Sequence, residues 1–278
     1  MKHLCVIGDP IEHSLSPAMH NAALAHLDLD KEYVFEKAKV PSAELAGFIN
    51  RTRKGEFTGL SVTMPHKVAV IPFLDELSQE AKIIGAVNTV TLSGNKLVGH
   101  NTDGAGCVMA LKSAGVPIKG RNAVVLGAGG AAKAIAVALA LEHAGKIFIL
   151  NRTPSAADKI AATVSKVSGS RIETSGLERM EEALAEADIL INATPIGMSG
   201  ISPRTAVPKD LFRRNMNVFD IVYEPMETQH LRDARMAGAR TIPGVEMLLH
   251  QGAVQFKLFT GRDAPLEVMR AALLEGKQ

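Results

Sequence analysis

Short apolar runs alternate with stretches of helical periodicity along most of the chain. This alternation of strand and helix predicts an α/β fold with parallel sheets. Ser16 and Pro17 are expected to begin the first helix, with serine as its N-cap and proline at the first helical position, where a missing N–H costs nothing. In the N-terminal part, strands are predicted at 4–7, 33–35, 57–62, 87–92 and 96–98, and helices from 16 onward, at 42–53 and at 102–114.

From Asn122 onward, a strand, a glycine turn and a helix follow one another closely. Such a succession is typical of a doubly wound nucleotide-binding domain. We expect the helical C-terminal tail to pack back on the N-terminal part of the chain. In this second part, strands are predicted at 147–150, 189–191 and 218–222, and helices up to about 166, at 245–260 and from 265 to the end.

Composition and charge exclude several classes of protein. Apolar residues make up 46% of the chain and charged residues 22%, which excludes disorder, and a net charge of +2 without a basic stripe argues against a nucleic-acid partner. Cys5 and Cys107 belong to no metal-ligand pattern, so we expect buried, reduced thiols and no metal site. The apolar stretch 123–141 contains clustered glycines and favours strand, turn and helix over a membrane span. Because the apolar run before Gly8 is also too short for a signal peptide, the sequence predicts a soluble, cytoplasmic protein.

A glycine-rich turn is the first candidate for binding chemistry. Gly127-x-Gly129-x-x-Ala132 follows a predicted strand and opens a predicted helix. Gly127 would allow the tight turn, Gly129 would let the backbone approach a pyrophosphate, and the small Ala132 would let helix and strand pack closely. The free N–H groups of the helix would then bind the phosphates. This context favours a dinucleotide site over a purely structural turn.

The end of the next predicted strand indicates which dinucleotide is bound. A site for NAD places an acidic residue there, whereas this strand ends in Asn151-Arg152-Thr153. A guanidinium can bind a 2′-phosphate through charge-assisted, often bidentate hydrogen bonds, which a carboxylate would repel. The sequence therefore favours NADP over NAD, with Arg152 as the candidate for phosphate recognition.

Four polar segments lie near predicted strand ends and loops: His13–Pro17, Ser61–Lys67, Ala86–Thr89 and Gly99–Gly104. Hydroxyls, amides, one lysine and one aspartate are the groups needed to hold a polyhydroxylated acid and move a proton. Oxidation of an alcohol by hydride transfer requires a group that takes the hydroxyl proton. Lys67 and Asp103 are the candidate pair, although a structural ion pair is an alternative interpretation.

The ordered motif series of this chain resembles that of the shikimate dehydrogenase family. The resemblance runs from Gly8 to Gly252 and covers nearly the whole chain. The motifs that carry it are GDPIEHSLSP, GLSVTMPHK, IGAVNT, GHNTDG, GAGGAAKA, NRT, NATPIGM, DIVYEP and GVEMLLHQG.

The resemblance implies a substrate site and a catalytic pair. It implies that Lys67 and Asp103 are catalytic, with the aspartate beside the lysine ammonium. Two serines would bind the substrate carboxylate, although Ser16 could also serve as the helix N-cap, and Tyr223 could equally be a packed core residue. The substrate-binding residues implied are Ser14, Ser16, Thr63, Lys67, Asn88, Asp103, Tyr223 and Gln251.

The resemblance also implies a cofactor site that extends beyond the glycine turn. Thr194, Met198, Ile221, Gly244 and Met247 are implied as neighbours of the nicotinamide, although methionines at such positions are more often core. The cofactor-binding residues implied are Gly127, Ala128, Gly129, Gly130, Ala131, Asn151, Arg152, Thr153, Thr194, Met198, Ile221, Gly244 and Met247.

Two positions depart from the family pattern. Ser61 stands where many members have asparagine, so we expect it to reach the substrate only through water. Ala156 stands where some relatives have a second arginine, which leaves one guanidinium to carry most of the 2′-phosphate interaction. His13, His66 and His100 lie beside the motifs, but we expect structural hydrogen bonding and packing from them rather than catalysis.

The resemblance implies a substrate domain at 1–103, completed by helices at 244–278, and a Rossmann-type NADP-binding domain at 104–243, with a cleft between them. The implied reaction is the reversible, NADP-dependent interconversion of shikimate and 3-dehydroshikimate, by a monomer or a homodimer. One alternative is a quinate/shikimate dehydrogenase that uses NAD or NADP. Another is a non-catalytic metabolite sensor, which the presence of Lys67 and Asp103 disfavours.

Overall fold

The fold is given by a computed structural model that describes residues 1–202 and 204–275. The chain divides into two compact units. Unit 1 comprises residues 1–102 together with those from 249 onward, and unit 2 comprises 103–248. The domain boundaries expected from the sequence lie between residues 103 and 104 and between residues 243 and 244. The predicted end of the last helix, at 276–278, lies outside the described residues.

The strands and helices alternate along the chain, as the sequence predicts. The strands are β1 (Lys2–Gly8), β2 (Tyr33–Lys39), β3 (Gly59–Val62), β4 (Glu76–Leu77), β5 (Thr89–Ser93), β6 (Lys96–His100), β7 (Ala123–Leu126), β8 (Lys146–Leu150), β9 (Arg171–Ser175), β10 (Ile189–Asn192), β11 (Asn217–Asp220) and β12 (Arg240–Ile242). The helices are α1 (Ser16–His26), α2 (Leu45–Arg53), α3 (His66–Ala69), α4 (Gln79–Ile84), α5 (Asp103–Ser113), α6 (Gly130–Leu141), α7 (Pro154–Val164), α8 (Met180–Ala185), α9 (Gln229–Met236), α10 (Gly244–Thr260) and α11 (Leu266–Glu275).

The sheet of unit 1 is mixed and has the order β2-β1-β3-β5-β6-β4. β1 pairs in parallel with both β2 and β3, whereas β5 is antiparallel to β3 and to β6. β5 and β6 form a hairpin, in which Ser93 pairs with Lys96 across a two-residue turn with Gly94 at φ +59°. The register pairs Ser61 with Thr89 and Thr89 with His100. The residues that follow β3, precede β5 and follow β6 therefore lie together, at the same end of these neighbouring strands.

The sheet of unit 2 is parallel throughout and has the order β12-β11-β10-β7-β8-β9. Numbered within the unit, this is the doubly wound order 3-2-1-4-5-6 read from its other edge, so the predicted Rossmann-type fold is confirmed. The strand order reverses between β7 and β10. In such folds, ligands bind outside the carboxyl ends of the strands at this switch point.

Burial explains why these elements form. The strands at the centre of the unit 2 sheet are apolar runs with almost no exposed surface, as expected for parallel strands covered on both faces. Cys5 and Cys107 are free and buried, as predicted, and burial raises the pKa of the Cys5 thiol to about 12. Among the described residues, no helix combines the length and the apolar character needed to cross a membrane.

Three sequence predictions about boundaries are wrong. Ser16 is not the N-cap of α1, because Leu15 already has helical backbone angles and precedes the first helical residue. The strand predicted to reach 222 ends at Asp220, whose side chain accepts a hydrogen bond from the backbone N–H of Val222 and turns the chain out of the sheet. The helix predicted from 102 begins one residue later, at Asp103.

The outer strands of both sheets are short or charged. In unit 1, β2 carries exposed Glu36, Lys37 and Lys39, and β4 has only two residues. In unit 2, β12 has three residues, and β9 carries Arg171 and Glu173, which form an ion pair with each other.

Candidate active site

The glycine turn of unit 2 connects β7 to α6 at the switch point. Gly127 has φ +107°, a region that L side chains rarely adopt, and a Cβ added to it would lie 2.9 Å from the carbonyl oxygen of Ala193. Its N–H donates to the oxygen of Leu150 in β8. Packing inside unit 2 therefore already requires glycine at 127, whatever the turn binds.

Gly129 differs from Gly127 because no packing requirement explains it. Its φ is −81°, which any residue can adopt, and no atom of the described residues lies within 4 Å of an added Cβ. It is exposed and is the N-cap of the twelve-residue helix α6, so it offers no side chain to the free N–H groups. Ala132 is fully buried. Open space before a bare helix N-terminus is what a pyrophosphate needs, so the residues of this turn fit a dinucleotide.

The tip of β8 carries the residues predicted to read the adenosine ribose. Asn151 donates from Nδ2 to the carbonyl oxygen of Thr153 at 2.9 Å, which closes a tight turn before α7. Arg152 is exposed within this turn, and in residues 1–202 and 204–275 no carboxylate forms an ion pair with it. Its guanidinium is therefore available for an anionic ligand. Ala128, Gly130 and Ala131, also predicted at the cofactor site, are half-buried around the glycine turn.

The loop after β10 lies against the glycine turn. A Cβ added to Gly127 would lie 3.2 Å from the Cγ2 of Thr194, so these two predicted cofactor residues lie together. Asn192 holds this loop: its Oδ1 accepts from the N–H and the hydroxyl of Thr194, at 3.1 and 2.6 Å, and its Nδ2 donates to the oxygen of Ile196. Met198, further along the loop, is half-buried.

Asp220 at the end of β11 is a buried acid that connects three segments of unit 2. Its carboxylate accepts hydrogen bonds from Asn192 Nδ2 at 3.0 Å, from Val222 N at 3.1 Å and from Thr228 Oγ1 at 2.6 Å. Burial raises the pKa of Asp220 to about 6, and the hydrogen bonds to its charged form oppose part of that effect. This network fixes the starts of the two loops that carry Thr194 and Tyr223.

The remaining predicted cofactor residues, and the predicted substrate residue Tyr223, lie directly after β11 or in the first turn of α10. Ile221 and Tyr223 are half-buried, and burial raises the pKa of the tyrosine hydroxyl. A Cβ added to Gly244 would lie 2.4 Å from the carbonyl oxygen of Val222, so glycine is required there for close packing. Met247 is buried, which is consistent with the alternative interpretation that it belongs to the core.

In unit 1, the predicted substrate residues follow the ends of β1 and β3. Ser14 is half-buried and Ser16 is buried, and the N–H of Ser16 points to Ser14 Oγ at 3.4 Å. Thr63 follows β3 and donates its N–H to the oxygen of Ile7, which sets the turn that leads into α3. Lys67 lies in α3 with a half-buried side chain.

A cluster of buried amides and hydroxyls surrounds Asn88. Its Oδ1 accepts from the N–H of Thr102 at 2.8 Å, and its Nδ2 donates to the hydroxyl of Thr102 at 2.9 Å. The Oε1 of Gln251 lies 3.4 Å from both Asn88 Nδ2 and Thr102 Oγ1. The backbone N–H of Val87 donates to the oxygen of Lys67 at 2.7 Å, so the α3 segment is tied to the residue before Asn88. The structure therefore brings Lys67, Asn88 and Gln251 to one end of the unit 1 sheet.

Asp103 follows Thr102 directly in the chain and is the first residue of α5. It is buried, and the next residue, Gly104, packs so closely on α6 that an added Cβ would lie 2.7 Å from the oxygen of Ala134. The position of Asp103 is thus fixed by its neighbours on both sides. Its pairing with Lys67 stays a prediction.

Two of the three histidines beside the motifs, His66 and His100, have the surroundings of structural residues. His66 is fully buried and donates from Nε2 to the carbonyl oxygen of Val40 at 2.6 Å. His100 contacts the hydroxyl of Thr91 at 3.0 Å, and burial lowers its pKa. His13 is exposed.

Sequence reasoning missed several residues that hold the site together. Asn192, Asp220, Thr89 and Thr102 all lie inside the quoted motifs, directly beside predicted site residues or within two positions of them. Gln255 lies outside every motif. The signal that could have found it is its spacing of four from Gln251, which places both side chains on one face of α10.

Family models match most of the chain. The model for the shikimate dehydrogenase substrate binding domain matches residues 6–90, and the model for shikimate / quinate 5-dehydrogenase matches 109–223. The model for the shikimate 5′-dehydrogenase C-terminal domain matches 244–274.

Individual proteins are similar over almost their whole length. The shikimate dehydrogenase (NADP⁺) of Methanopyrus kandleri is 44% identical over 97% of this chain and 94% of its own. The structure of shikimate 5-dehydrogenase from Thermus thermophilus in complex with NADP(H) and shikimate has a TM-score of 0.88 at 39% identity and covers 99% of each chain. That of quinate dehydrogenase from Corynebacterium glutamicum in complex with NAD has a TM-score of 0.90 at 32% identity, again with 99% of each chain covered. This chain therefore belongs to the shikimate dehydrogenase family.

Proposed function

We propose that this protein catalyses the reversible oxidation of shikimate to 3-dehydroshikimate with NADP⁺. The observation that carries the proposal is the backbone hydrogen bond from Val87 to Lys67, which holds a lysine beside the Asn88 cluster. A lysine next to buried amides and hydroxyls has the groups needed to bind ring hydroxyls and accept a proton. The membership of the family supports the same reaction.

The substrate would be held through its carboxylate and its hydroxyls. Ser14 and Ser16 would bind the carboxylate with their hydroxyl groups. The amides of Asn88 and Gln251, together with the hydroxyl of Thr63, would bind the ring hydroxyls. Tyr223 would contribute a further hydroxyl. Each of these groups is neutral, so selectivity would come from the placement of donors and acceptors rather than from net charge.

The chemical step requires a proton acceptor and a hydride acceptor. Bound NADP⁺ would supply the acceptor for the hydride that leaves the carbon bearing the reacting hydroxyl. Lys67 would accept the proton of that hydroxyl as the carbonyl forms, and in the reverse direction it would return the proton to the ketone oxygen. Asp103 would orient both the lysine and the hydroxyl.

NADP is proposed as the cofactor because of the tip of β8. Arg152 would bind the 2′-phosphate, and the turn of Asn151 and Thr153 would present it. The pyrophosphate would bind at the N-terminus of α6, in the open space in front of Gly129.

Quinate oxidation with NAD is the second candidate activity. The structural similarity to a quinate dehydrogenase with bound NAD favours it. The absence of an acid from Asn151-Arg152-Thr153 argues against it, because a carboxylate at this strand end is what holds the ribose 2′-hydroxyl in a site for NAD.

A panel of two acids and two cofactors tests the proposal. Initial rates of reduced-cofactor formation would be measured on the purified protein with shikimate or quinate and with NADP⁺ or NAD⁺. We expect the highest kcat/KM with shikimate and NADP⁺. A higher kcat/KM with quinate and NAD⁺ would establish the second candidate instead, and no turnover with any pair would leave the non-catalytic sensor. The cytoplasmic location and the choice between monomer and homodimer stay predictions.

A further inference from the structure

Gln255 is a buried amide that no motif of the chain includes. It lies on α10 one helical turn after Gln251, with 2% of its surface exposed. A buried amide is costly unless its donors and acceptor are hydrogen-bonded. The partners of Gln255 therefore indicate what this residue does.

The partners of Gln255 lie on two neighbouring strands and the residue that precedes one of them. Its Oε1 accepts from the hydroxyl of Ser61 in β3 at 2.8 Å. Its Nε2 donates to the hydroxyl oxygen of Thr89 in β5 at 2.9 Å and to the backbone oxygen of Asn88 at 3.2 Å. Both N–H bonds of this amide are therefore directed at the segment that carries Asn88.

The hydrogen bonds of Gln255 continue through the Thr89 hydroxyl to the side chain of Asn88. The Thr89 hydroxyl accepts from Gln255, so its single hydrogen is free to point elsewhere, and it donates to Asn88 Oδ1 at 2.8 Å. The same Oδ1 accepts from the backbone N–H of Thr102. Two donors on Oδ1 fix which end of the Asn88 amide is oxygen, and this leaves its Nδ2 as the end that donates.

The backbone of Asn88 is held as firmly as its side chain. Its carbonyl oxygen accepts from the N–H of Val62 at 2.7 Å as well as from Gln255, so both lone pairs are used. Its own N–H donates to the oxygen of His100 at 3.1 Å. Gln255 thus supplies one of the two hydrogen bonds that fix this carbonyl.

We propose that Gln255 is a positioning residue for substrate binding, acting through Thr89 to hold the Asn88 side-chain amide in one fixed orientation at the proposed substrate site. This rests on the proposed function, in which Asn88 binds shikimate. Ser61 acts one step further away, because its hydroxyl is used to hold Gln255. Ser61 donates its hydroxyl hydrogen to Gln255, and its contact with the substrate through water stays a prediction.

Two near-isosteric variants break the proposed chain of hydrogen bonds at different points. Gln255→Met keeps an unbranched side chain of similar length and removes the amide, and Thr89→Val keeps the shape of the side chain and removes the hydroxyl. We expect each to raise the KM and the Kd for shikimate about 3- to 10-fold, the range for one uncharged hydrogen bond, while the KM for NADP⁺ changes less than about 2-fold. Steady-state kinetics and isothermal titration with shikimate would measure these constants.

Because both residues act in one chain, the double variant Thr89→Val/Gln255→Met should bind shikimate about as well as either single variant. Ser61→Ala leaves both donors of Gln255 in place and should raise the KM for shikimate less than Gln255→Met does. These comparisons separate the donor role of Gln255 from simple packing.

Thr52→Val is the matched control for the loss of a buried hydroxyl. Thr52 is fully buried in unit 1, and its hydroxyl donates only to the oxygen of Phe48 within α2. Thr52→Val should lower the melting temperature about as much as Thr89→Val does, and it should leave the KM for shikimate unchanged.

The outcomes separate this proposal from the proposed function. A wild-type protein that does not turn over shikimate removes both. A wild-type protein that oxidises shikimate, with Gln255→Met and Thr89→Val variants that bind it as tightly as wild type, overturns the positioning role alone. Strictly additive effects in the double variant would also overturn it, because they would mean that the two residues act independently.

Discussion

Asn192 donates a hydrogen bond from Nδ2 to the Oδ1 of Asp220 across 3.0 Å and so joins the ends of β10 and β11. Both side chains are fully buried, and each also binds the loop that follows its own strand. The two loops that carry the predicted nicotinamide-side residues therefore share one buried polar contact.

The raised pKa of Asp220, about 6, predicts a pH dependence of stability. An acid whose pKa is higher in the folded than in the unfolded protein favours folding when protonated, and this advantage is lost as the pH rises from about 4 through 6. Asp220→Asn can keep the same geometry, with its Nδ2 donating to Thr228, and does not titrate. The raised pKa corresponds to about 3 kcal/mol of folding free energy. We therefore expect the melting temperature of wild type, relative to that of Asp220→Asn, to fall by about 5–10 °C between pH 4 and pH 7.

Thermal unfolding followed by circular dichroism at several pH values would measure this difference. Asp210→Asn, at an exposed position of the same unit, is the control and should match wild type at each pH. A difference between wild type and Asp220→Asn that stays constant with pH would contradict the assigned ionisation of Asp220.

The two glycines of the cofactor turn should respond differently to substitution by alanine. Gly127→Ala meets both a positive φ and the oxygen of Ala193, so it should lower the melting temperature by several degrees. Gly129→Ala meets no described atom and has an ordinary φ, so it should fold normally but weaken NADP⁺ binding at least 10-fold. Melting curves and titration of NADP⁺ would measure both effects. Normal NADP⁺ affinity in Gly129→Ala would show that the cofactor does not approach this turn.

Arg152 should decide between the two cofactors. Removing its guanidinium in Arg152→Ala should lower kcat/KM for NADP⁺ about 10-fold or more and leave kcat/KM for NAD⁺ almost unchanged, because only NADP⁺ carries the 2′-phosphate. Arg121→Ala is the control, since Arg121 is another exposed arginine of unit 2, paired with Asp188. Equal losses with both cofactors would assign Arg152 a general role in folding or dinucleotide binding.

Lys67→Ala should lower kcat about 10²- to 10⁴-fold, because the reaction would lose its proton acceptor. The melting temperature should change little, since the side chain is only half-buried. Lys82→Ala, at an exposed position of α4, should retain wild-type kcat. A near-normal kcat for Lys67→Ala would remove this lysine from the mechanism.

The long, apolar elements could be predicted from the sequence, because burial on both faces leaves a strong pattern. The strands at the centre of the unit 2 sheet and the glycine turn between β7 and α6 are examples. β9 and β12 were not predicted, because they lie at the edges of the sheet, where partial burial leaves no clear periodicity. The N-cap of α1 was predicted at Ser16 but lies one residue earlier, at Leu15. The backbone of Leu15 already has helical angles, so Ser16 is the first residue of the helix.

The residues proposed to contact a ligand were easier to find from the sequence than the residues that support them. Asn88 and Gln251 lie in motifs, whereas the contact of Gln255 with Ser61 joins residues 194 positions apart. Such a pairing depends on how α10 packs against β3 and β5, which no local pattern encodes. Asp220 was also missed, because its role depends on a hydrogen bond from Thr228 eight residues later and on burial that only the fold creates.

The short or charged outer strands of the two sheets have a consequence for self-association. A neighbouring chain can extend a sheet only along an open, flat edge that is not crowded with charge. Glu36, Lys37 and Lys39 on β2 would have to lose water to accept such a neighbour, and β4 and β12 offer too few backbone groups for a continuous ladder. We therefore expect the folded protein to resist strand-to-strand aggregation at high concentration, and a homodimer, if one forms, to use helices or loops for its contact.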